Sequence, residues 1–186
     1  MHDELISRVA AGDAQAFTEF YQRYAGVVLN LCFRLVRDRE DANDLTQEVF
    51  VRVFRQASSF RHQAQPLTWL YRIATNLCLN HLRRAKRHDP RGAISELEEA
   101  SAAQGAHNSE RPDVLVERRE AQALVWRAIE SLPPAQRAAL VLQKYEGLSC
   151  QEIAAVMGCS VASVHSRLHR AKENLARALV AALREE

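Results

Sequence analysis

Residues 148–179 read LSCQEIAAVMGCSVASVHSRLHRAKENLARAL and contain two helical patterns separated by a glycine turn. Ser149 and Glu152 have the spacing of a capping box, which predicts the start of a short helix. Gly158 can adopt the left-handed conformation that ends a helix, and Ser160 can cap the helix that follows. Two helices joined by a short glycine-containing turn predict a helix-turn-helix.

The second helix of this motif combines an apolar face with a polar face. In a helix-turn-helix the second helix enters the major groove of DNA, where polar side chains donate hydrogen bonds to phosphates and base edges. A merely structural helical hairpin is the alternative. The candidate DNA-binding residues are Ser163, His165, Ser166, Arg167, His169, Arg170 and Lys172.

Helical periodicity also fills the N-terminal half of the chain. Apolar residues recur at steps of three and four over residues 17–35, after Asp13, which is an N-cap candidate. Further helices are predicted over residues 39–56 and 67–87. These helices predict a compact helical domain over residues 1–88.

The amino-acid composition changes in residues 89–113, which are rich in Ala, Ser, Glu, Gly and Pro and have no convincing periodicity of apolar residues. This segment is predicted to be a flexible linker with a short helix near residues 94–101. Helical patterns resume over residues 114–186, and Pro134 suits the first turn of a new helix. The predicted fold class is therefore all-α, with two small helical domains joined by a linker.

Length, composition and charge narrow the class of protein. The chain has 186 residues, of which 47% are hydrophobic and 26% charged, as is normal for a folded soluble protein. Residues 38–48 hold five acids and one arginine, a net charge of −4. Residues 61–91 hold seven bases and one acid, and residues 160–184 hold five bases and one acid. Two basic segments suggest two contacts with a polyanion, with solvated helix faces as the alternative.

No motif points to catalysis, a metal or a cofactor. The chain lacks a P-loop, a GxSxG elbow and a dinucleotide fingerprint, so an enzyme is the least favoured class. Its four cysteines have no CxxC spacing and are predicted to be buried reduced thiols (Cys32, Cys78, Cys150 and Cys159). His165 and His169 lie one helical turn apart without a carboxylate partner, so no metal site is predicted there.

Three stretches together resemble a known family. The segments DREDANDLTQEVFVRVFRQASSFR (residues 38–61) and TWLYRIATNLCLNHLRR (residues 68–84) resemble conserved region 2 of bacterial sigma factors. Residues 131–175, from SLPPAQRAALVLQKYEGLS to RAKENL, resemble region 4. With these two regions and a short linker, the chain resembles the extracytoplasmic-function (group IV) sigma factors of the sigma-70 family. The resemblance implies binding of core RNA polymerase, promoter recognition, transcription initiation and help in opening the duplex.

The resemblance also assigns roles to residues. The acidic helix over residues 38–54 would dock on the clamp helices of the largest polymerase subunit, through Asp38, Asp41, Asp44 and Glu48. The second helix of the helix-turn-helix would read the −35 element. The −10 element, with a base flipped from the non-template strand, would be bound by Arg61, His62, Gln63, Gln65, Asn80, Arg83, Arg84 and Arg87. Trp69 and Tyr71 are candidates for stacking on bases, with packing as the alternative for Trp69.

A two-domain regulator that binds DNA without polymerase is the alternative function, and the region 2 stretch argues against it. Members of the resembled family are usually held inactive by an anti-sigma factor, often membrane-bound, so such a partner is expected. The N-terminus lacks the apolar run of a signal peptide, and no segment has 18 consecutive apolar residues. A cytoplasmic protein without membrane insertion is therefore expected.

Overall fold

A computed structural model describes residues 2–60, 65–88 and 112–185. Over these residues the chain is all-α, as predicted, with eight α-helices and no strand. Pairs of helices pack through the apolar stripes that the sequence pattern predicts. The helices are α1 (His2–Ala10), α2 (Ala14–Val36), α3 (Arg39–Gln56), α4 (Pro66–His88), α5 (Pro112–Glu130), α6 (Pro134–Lys144), α7 (Cys150–Met157) and α8 (Val161–Glu185), with a 3₁₀ turn at Ala57–Ser59.

Side-chain caps fix where α2 and α3 begin. The backbone N–H of Ala16 donates to the Asp13 carboxylate at 3.0 Å, which confirms the predicted N-cap. Asp38 caps α3 in the same way, accepting from the backbone N–H of Asp41 at 2.8 Å. Between the two helices, Arg37 ends α2 in the left-handed conformation, with φ of 63°. The chain therefore reverses sharply and lays α3 against α2.

Helix α1 has no counterpart among the predicted helices. Leu5, Ile6 and Val9 are buried on one of its faces, and the helix packs mainly against α2. The Arg8 guanidinium donates to the Asp13 carboxylate at 2.9 and 2.6 Å, which ties the end of α1 to the start of α2. Helices α1–α4 are called the N-terminal unit below.

Helices α5–α8, called the C-terminal unit below, contain the predicted helix-turn-helix. The capping box of Ser149 and Glu152 is present at the start of α7, and Gly158 ends that helix with φ of 61°. The backbone N–H of Ser163 donates to the Ser160 hydroxyl at 3.2 Å, so Ser160 caps α8. Helix α6 begins at Pro134, as predicted.

The two units pack against each other. Helices α6 and α7 contact α4, and α6 also contacts α2. Buried residues from both units form one continuous apolar cluster that includes Leu31, Leu70, Leu142 and Ile153. The predicted short helix over residues 94–101 and most of the predicted linker lie outside the described residues.

The cysteines differ in burial. Cys32 and Cys78 are buried, as predicted, and the hydrogen bond to Cys32 together with burial raises the pKa of the Cys78 thiol. The same prediction is wrong for Cys150 and Cys159, which are only half-buried. Cys150 opens α7 and Cys159 lies in the turn after it, where less chain covers a side chain.

Membrane-spanning segments were sought among the helices within residues 2–60, 65–88 and 112–185. None of them is both long enough and apolar enough to cross a bilayer.

Candidate nucleic-acid interface and acidic helix

Helix α8 buries one face and exposes the other. Val164, Leu168 and Ala171 are buried against the rest of the C-terminal unit. Most of the predicted DNA-binding residues lie on the opposite, exposed face: His165, Ser166, His169, Arg170 and Lys172. Ser163 and Arg167 are half-buried, so the structure brings five of the seven residues fully to the surface.

The Arg167 side chain lies over the turn of the motif. Its Nη1 atom is 3.4 Å from the Cys159 sulfur and 3.8 Å from the Met157 sulfur. The guanidinium therefore contacts the turn between α7 and α8, while part of it remains accessible. Arg170 makes no contact of this kind with the turn and is exposed.

The two histidines of α8 have different neighbours. Nδ1 of His165 lies 4.0 Å from the Cys150 sulfur at the start of α7. Nε2 of His169 lies 3.4 Å from Glu173 on its own helix. Within the residues that the structure describes, no three His, Cys, Asp or Glu side chains are grouped closely enough to hold a metal ion.

A second basic surface lies on α4. Asn80, Arg83 and Arg84 are exposed, and Nη1 of Arg83 approaches the Asn80 side-chain oxygen at 3.4 Å. Gln65 is exposed immediately before the helix. The predicted −10 residues Arg61, His62 and Gln63, and the side chain of Arg87, lie outside the described part of the chain.

The two aromatic candidates on α4 are engaged within the protein. Trp69 is half-buried and packs on Phe60, with the ring centroids 5.2 Å apart. Tyr71 is buried, and its hydroxyl donates to Glu146 of the C-terminal unit at 2.7 Å. In this arrangement the Tyr71 ring is not accessible for stacking on a base.

The four acids predicted on α3 have different surroundings. Asp38 caps the helix, and Asp41 lies 3.0 Å from Nε2 of His81 on α4. Glu48 accepts from Nε of Arg52, one turn further along the helix, at 2.8 Å. Asp44 is exposed. Of these four acids Asp44 alone is fully exposed, whereas Asp38, Asp41 and Glu48 are half-buried.

Exposed apolar side chains accompany these acids. Phe54 of α3 is 53% exposed, and Val51 on the same helix is also exposed. The Phe54 ring contacts Phe17 of α2 edge-on, with centroids 5.3 Å apart. Large exposed apolar side chains beside charged ones are typical of protein interfaces. The sequence signal for Phe54 is its position off the buried stripe of α3.

The fold and its surfaces define an all-α DNA-binding protein. It has a helix-turn-helix with an exposed polar helix, a separate basic helix, and an acidic helix with exposed apolar residues. Comparison with known proteins identifies the family.

The sequence matches the model of Sigma-70 region 2 over residues 20–88 and that of Sigma-70 region 4 over residues 122–175. It is 39% identical over 185 residues to the RNA polymerase sigma-H factor of Pseudomonas aeruginosa, covering 98% of this chain and 95% of that relative. It is also 39% identical over 171 residues to the ECF RNA polymerase sigma-E factor of Escherichia coli K12, covering 91% and 89%. The chain belongs to the extracytoplasmic-function sigma factors of the sigma-70 family, which are transcription initiation factors.

Solved structures share the fold. CnrH, in complex with the cytosolic domain of CnrY, matches with a TM-score of 0.66 and 23% identity, covering 97% of both chains. The sigma factor RpoE of Bartonella quintana, in complex with the anti-sigma factor NepR, matches with a TM-score of 0.65 and 20% identity. That match covers 89% of this chain and 98% of RpoE.

Proposed function

We propose that three surfaces divide the work of this sigma factor. Helix α3 binds core RNA polymerase, the segment before α4 together with α4 binds the −10 element, and α8 binds the −35 element. The domains are those predicted from the sequence, residues 1–88 and 114–186, joined by the linker 89–113. The chain acts by binding and not by catalysis, and it works in the cytoplasm.

The observation that carries the proposal is the outer face of α3. Asp44 and Phe54 are both exposed on this one helix, ten positions apart in a region of net negative charge. An isolated acidic face needs no exposed phenylalanine, whereas a protein interface gains from burying one. This combination suits a partner helix that offers both basic and apolar side chains.

The exposed face of α8 supports the −35 assignment. His165, Ser166, His169, Arg170 and Lys172 supply hydrogen-bond donors over about two turns, and the buried face holds the helix to the C-terminal unit. A helix fixed in this way can be positioned by phosphates and still present side chains to base edges.

The surface of α4 supports the −10 assignment. Arg83 and Arg84 are exposed one turn beyond Asn80, so phosphate-binding groups follow a group that can pair with a base edge. Gln65 lies exposed at the other end of the helix.

Control by an anti-sigma factor is part of the proposal. CnrH was solved with the cytosolic domain of CnrY, and RpoE with the anti-sigma factor NepR. Because this chain shares their fold, we expect an anti-sigma factor to bind it and to compete with core polymerase.

Run-off transcription with purified core polymerase and a random promoter library tests the function. The parent chain should select promoters with two conserved elements and should give no product without core. Tight, sequence-specific binding of duplex DNA by the free chain, with no increase in affinity when core is added, would favour the alternative of a two-domain regulator that binds DNA without polymerase.

Two variants test the role of α3. Asp44→Arg and Phe54→Ser should each weaken core binding by about tenfold, since each alters an exposed interface side chain. Glu120→Arg is the control, because Glu120 is an exposed acid on α5 of the other unit. Asp44 is preferred to Asp41 because reversing Asp41 would also remove its contact with His81. Core affinities equal to that of the parent would remove α3 from the docking surface.

A further inference from the structure

The helix-turn-helix brings a thiol and an imidazole together at its surface. The sulfur of Cys150, the first residue of α7, lies 4.0 Å from Nδ1 of His165 on α8. The thiol is half-buried and the imidazole is exposed, so a small solute can reach both. Fifteen residues separate the two along the chain, and no short motif links them. They are called the Cys150–His165 pair below.

The spacing of the pair suits two ligands of one metal ion. Zinc sites have metal–sulfur bonds of about 2.3 Å and metal–nitrogen bonds of about 2.0 Å. Bonds of these lengths separate sulfur from nitrogen by about 3.6 Å at a tetrahedral angle and by about 4.3 Å in a straight line. The observed 4.0 Å lies between these values, so an ion fits between the two atoms after a small rotation of the side chains.

Neighbouring contacts hold both ligands in place. The backbone N–H and the hydroxyl of Ser149 donate to the Glu152 carboxylate at 2.8 and 2.7 Å, which fixes the first turn of α7 where Cys150 lies. On α8, Val164 and Leu168 are buried on either side of His165 in the sequence and fix the helix that carries it. The two ligands are therefore preorganised, and binding an ion requires no rearrangement of the backbone.

The number and kind of ligands favour a soft ion that accepts two donors. In the part of the chain that the structure describes, no third His, Cys, Asp or Glu joins the pair. The nearby Glu152 carboxylate is engaged by Ser149, and His169 lies 3.4 Å from Glu173 on its own helix. Structural zinc takes four ligands, and calcium takes six or more oxygens. A thiolate with an imidazole suits Cu(I), which is stable with two ligands.

We propose that the Cys150–His165 pair binds a soft monovalent cation of the Cu(I) class. The Cys150 sulfur and Nδ1 of His165 each donate an electron pair to the ion, and the thiol proton is released to solvent. The ion keeps its oxidation state, and Nε2 of His165 carries the ring hydrogen.

Binding of the ion has a consequence for DNA recognition. His165 is one of the exposed α8 residues assigned to the −35 element, and a bound ion holds its ring against the start of α7. Nδ1 is then occupied, and the ring is not free to turn toward a base edge. Occupation of the site should therefore lower affinity for the −35 element. This consequence rests on the proposed function, whereas the metal site does not.

Competition with bicinchoninate, a coloured Cu(I) chelator, tests the site in the full-length chain without oxygen. Cys150→Ser and His165→Gln should each weaken Cu(I) binding by about tenfold or more relative to the parent. Cys159→Ser is the matched control, because Cys159 is also half-buried in the C-terminal unit but its sulfur contacts Arg167. Circular dichroism checks that all three variants keep the helical content of the parent.

X-ray absorption at the copper edge identifies the donors. The parent should show one sulfur and one nitrogen donor, and His165→Gln should lose the nitrogen. Sulfur donors alone in the parent, or a parent affinity retained by both Cys150→Ser and His165→Gln, would overturn the proposed site.

Promoter binding tests the consequence. Sigma chains loaded with one equivalent of Cu(I) and freed of excess ion are combined with core, and holoenzyme affinity is measured on a selected promoter and on the same promoter with a scrambled −35 element. Loading should weaken binding of the parent to the selected promoter by about fivefold or more, as expected for one lost base contact. The scrambled promoter and the Cys150→Ser holoenzyme should show no such change, and bicinchoninate should restore the parent.

The two parts of the inference can fail separately. An occupied site with unchanged promoter affinity would overturn the effect on −35 recognition. Failure of the unloaded parent holoenzyme to distinguish the two promoters would count against the proposed function, and the chelator competition would still decide whether Cys150 and His165 bind the ion.

Discussion

Arg167 and Arg170 differ in what their guanidinium groups contact before any DNA is bound. The Arg167 group lies against the sulfurs of Cys159 and Met157, whereas Arg170 is exposed. The sequence pattern placed both arginines on one outward face, and only the structure separates them. Packing against a turn fixes the direction of a side chain, which suits a base contact, while an exposed arginine suits a phosphate.

Arg170→Ala is therefore expected to weaken binding of holoenzyme to every −35 sequence by a similar factor. The slope of log affinity against log salt should fall by about one unit, since one phosphate contact is lost. Arg167→Ala should relax preference at one base position by ~1–3 kcal/mol. Titrations of matched −35 variants at several salt concentrations measure both quantities. A reversed pattern would exchange the two roles.

Asp13 makes stability depend on pH. Hydrogen bonds from the Ala16 backbone and from Arg8 hold the pKa of this carboxyl below its ordinary value. A carboxyl with a lowered folded pKa stabilises the protein above its unfolded pKa of about 3.9, and the contribution is lost as pH falls through the folded value. Asp13→Ala should lower the melting temperature at pH 7. The difference from the parent should shrink as pH falls below about 4, and a constant difference would contradict this account.

At the scale of single elements, Gly158 and Gly26 can be compared directly, because one ends a helix and the other lies inside one. Gly158 ends α7 with φ of 61°, whereas Gly26 lies inside α2 without a positive φ, and both have open space where a Cβ would lie. The two positions therefore differ in backbone conformation and not in crowding.

Gly158→Ala should lower the free energy of unfolding by about 1–2 kcal/mol, because the left-handed conformation is strained for alanine. Gly26→Ala should raise it by about 0.5–1 kcal/mol, because alanine is the better helix former. Urea unfolding of both variants measures the difference. Equal effects of the same sign would mean that space around the glycine, rather than φ, decides the outcome.

The helices that the sequence predicts best are those whose ends carry their own signals. Asp13, the capping box of Ser149 and Glu152, and Pro134 each act within one turn, so a local pattern is sufficient to find them. Helix α1 is short, and the residues Leu5, Ile6 and Val9 are too few to predict a helix by themselves. Their burial depends on packing against α2. The exposure of Phe54 and the burial of Tyr71 likewise depend on which helix lies opposite.

At the scale of the whole molecule, the sequence indicated two independent helical domains, and the structure shows them in contact. The pairing of Arg34, Arg37 and Glu146 has no local signal in the sequence, because their partners lie 75 to 112 residues away along the chain. Pairing between side chains so far apart along the chain produces no periodic pattern in the sequence. The linker pattern remains compatible with the contact, since a linker permits both closed and open arrangements.

Arg137 can be used to test whether the two units unfold together. Its guanidinium is buried and donates to the carbonyls of Leu35 and Glu130, so it joins α2 to the C-terminal unit. Arg137→Ala should lower the free energy of unfolding by about 2–5 kcal/mol, because two buried carbonyls each lose a donor. The parent should melt in one calorimetric transition, and the variant in two. Arg127→Ala, at an exposed arginine of α5, is the control. A single, merely shifted transition in the Arg137 variant would show that the units unfold together without it.

The position of Trp126 gives the molecule an optical signal of its own arrangement. The chain has two tryptophans, Trp69 and Trp126. The Trp126 indole contacts the Arg37 guanidinium, 4.7 Å from the ring centroid, and stacks on the Tyr145 ring with centroids 5.0 Å apart. If the units separate, the indole loses its contact with Arg37 and gains water, so its fluorescence emission should shift to longer wavelength. With Trp69 replaced by Phe, any separation of the two units would be visible in unlabelled protein as a shift of the Trp126 emission.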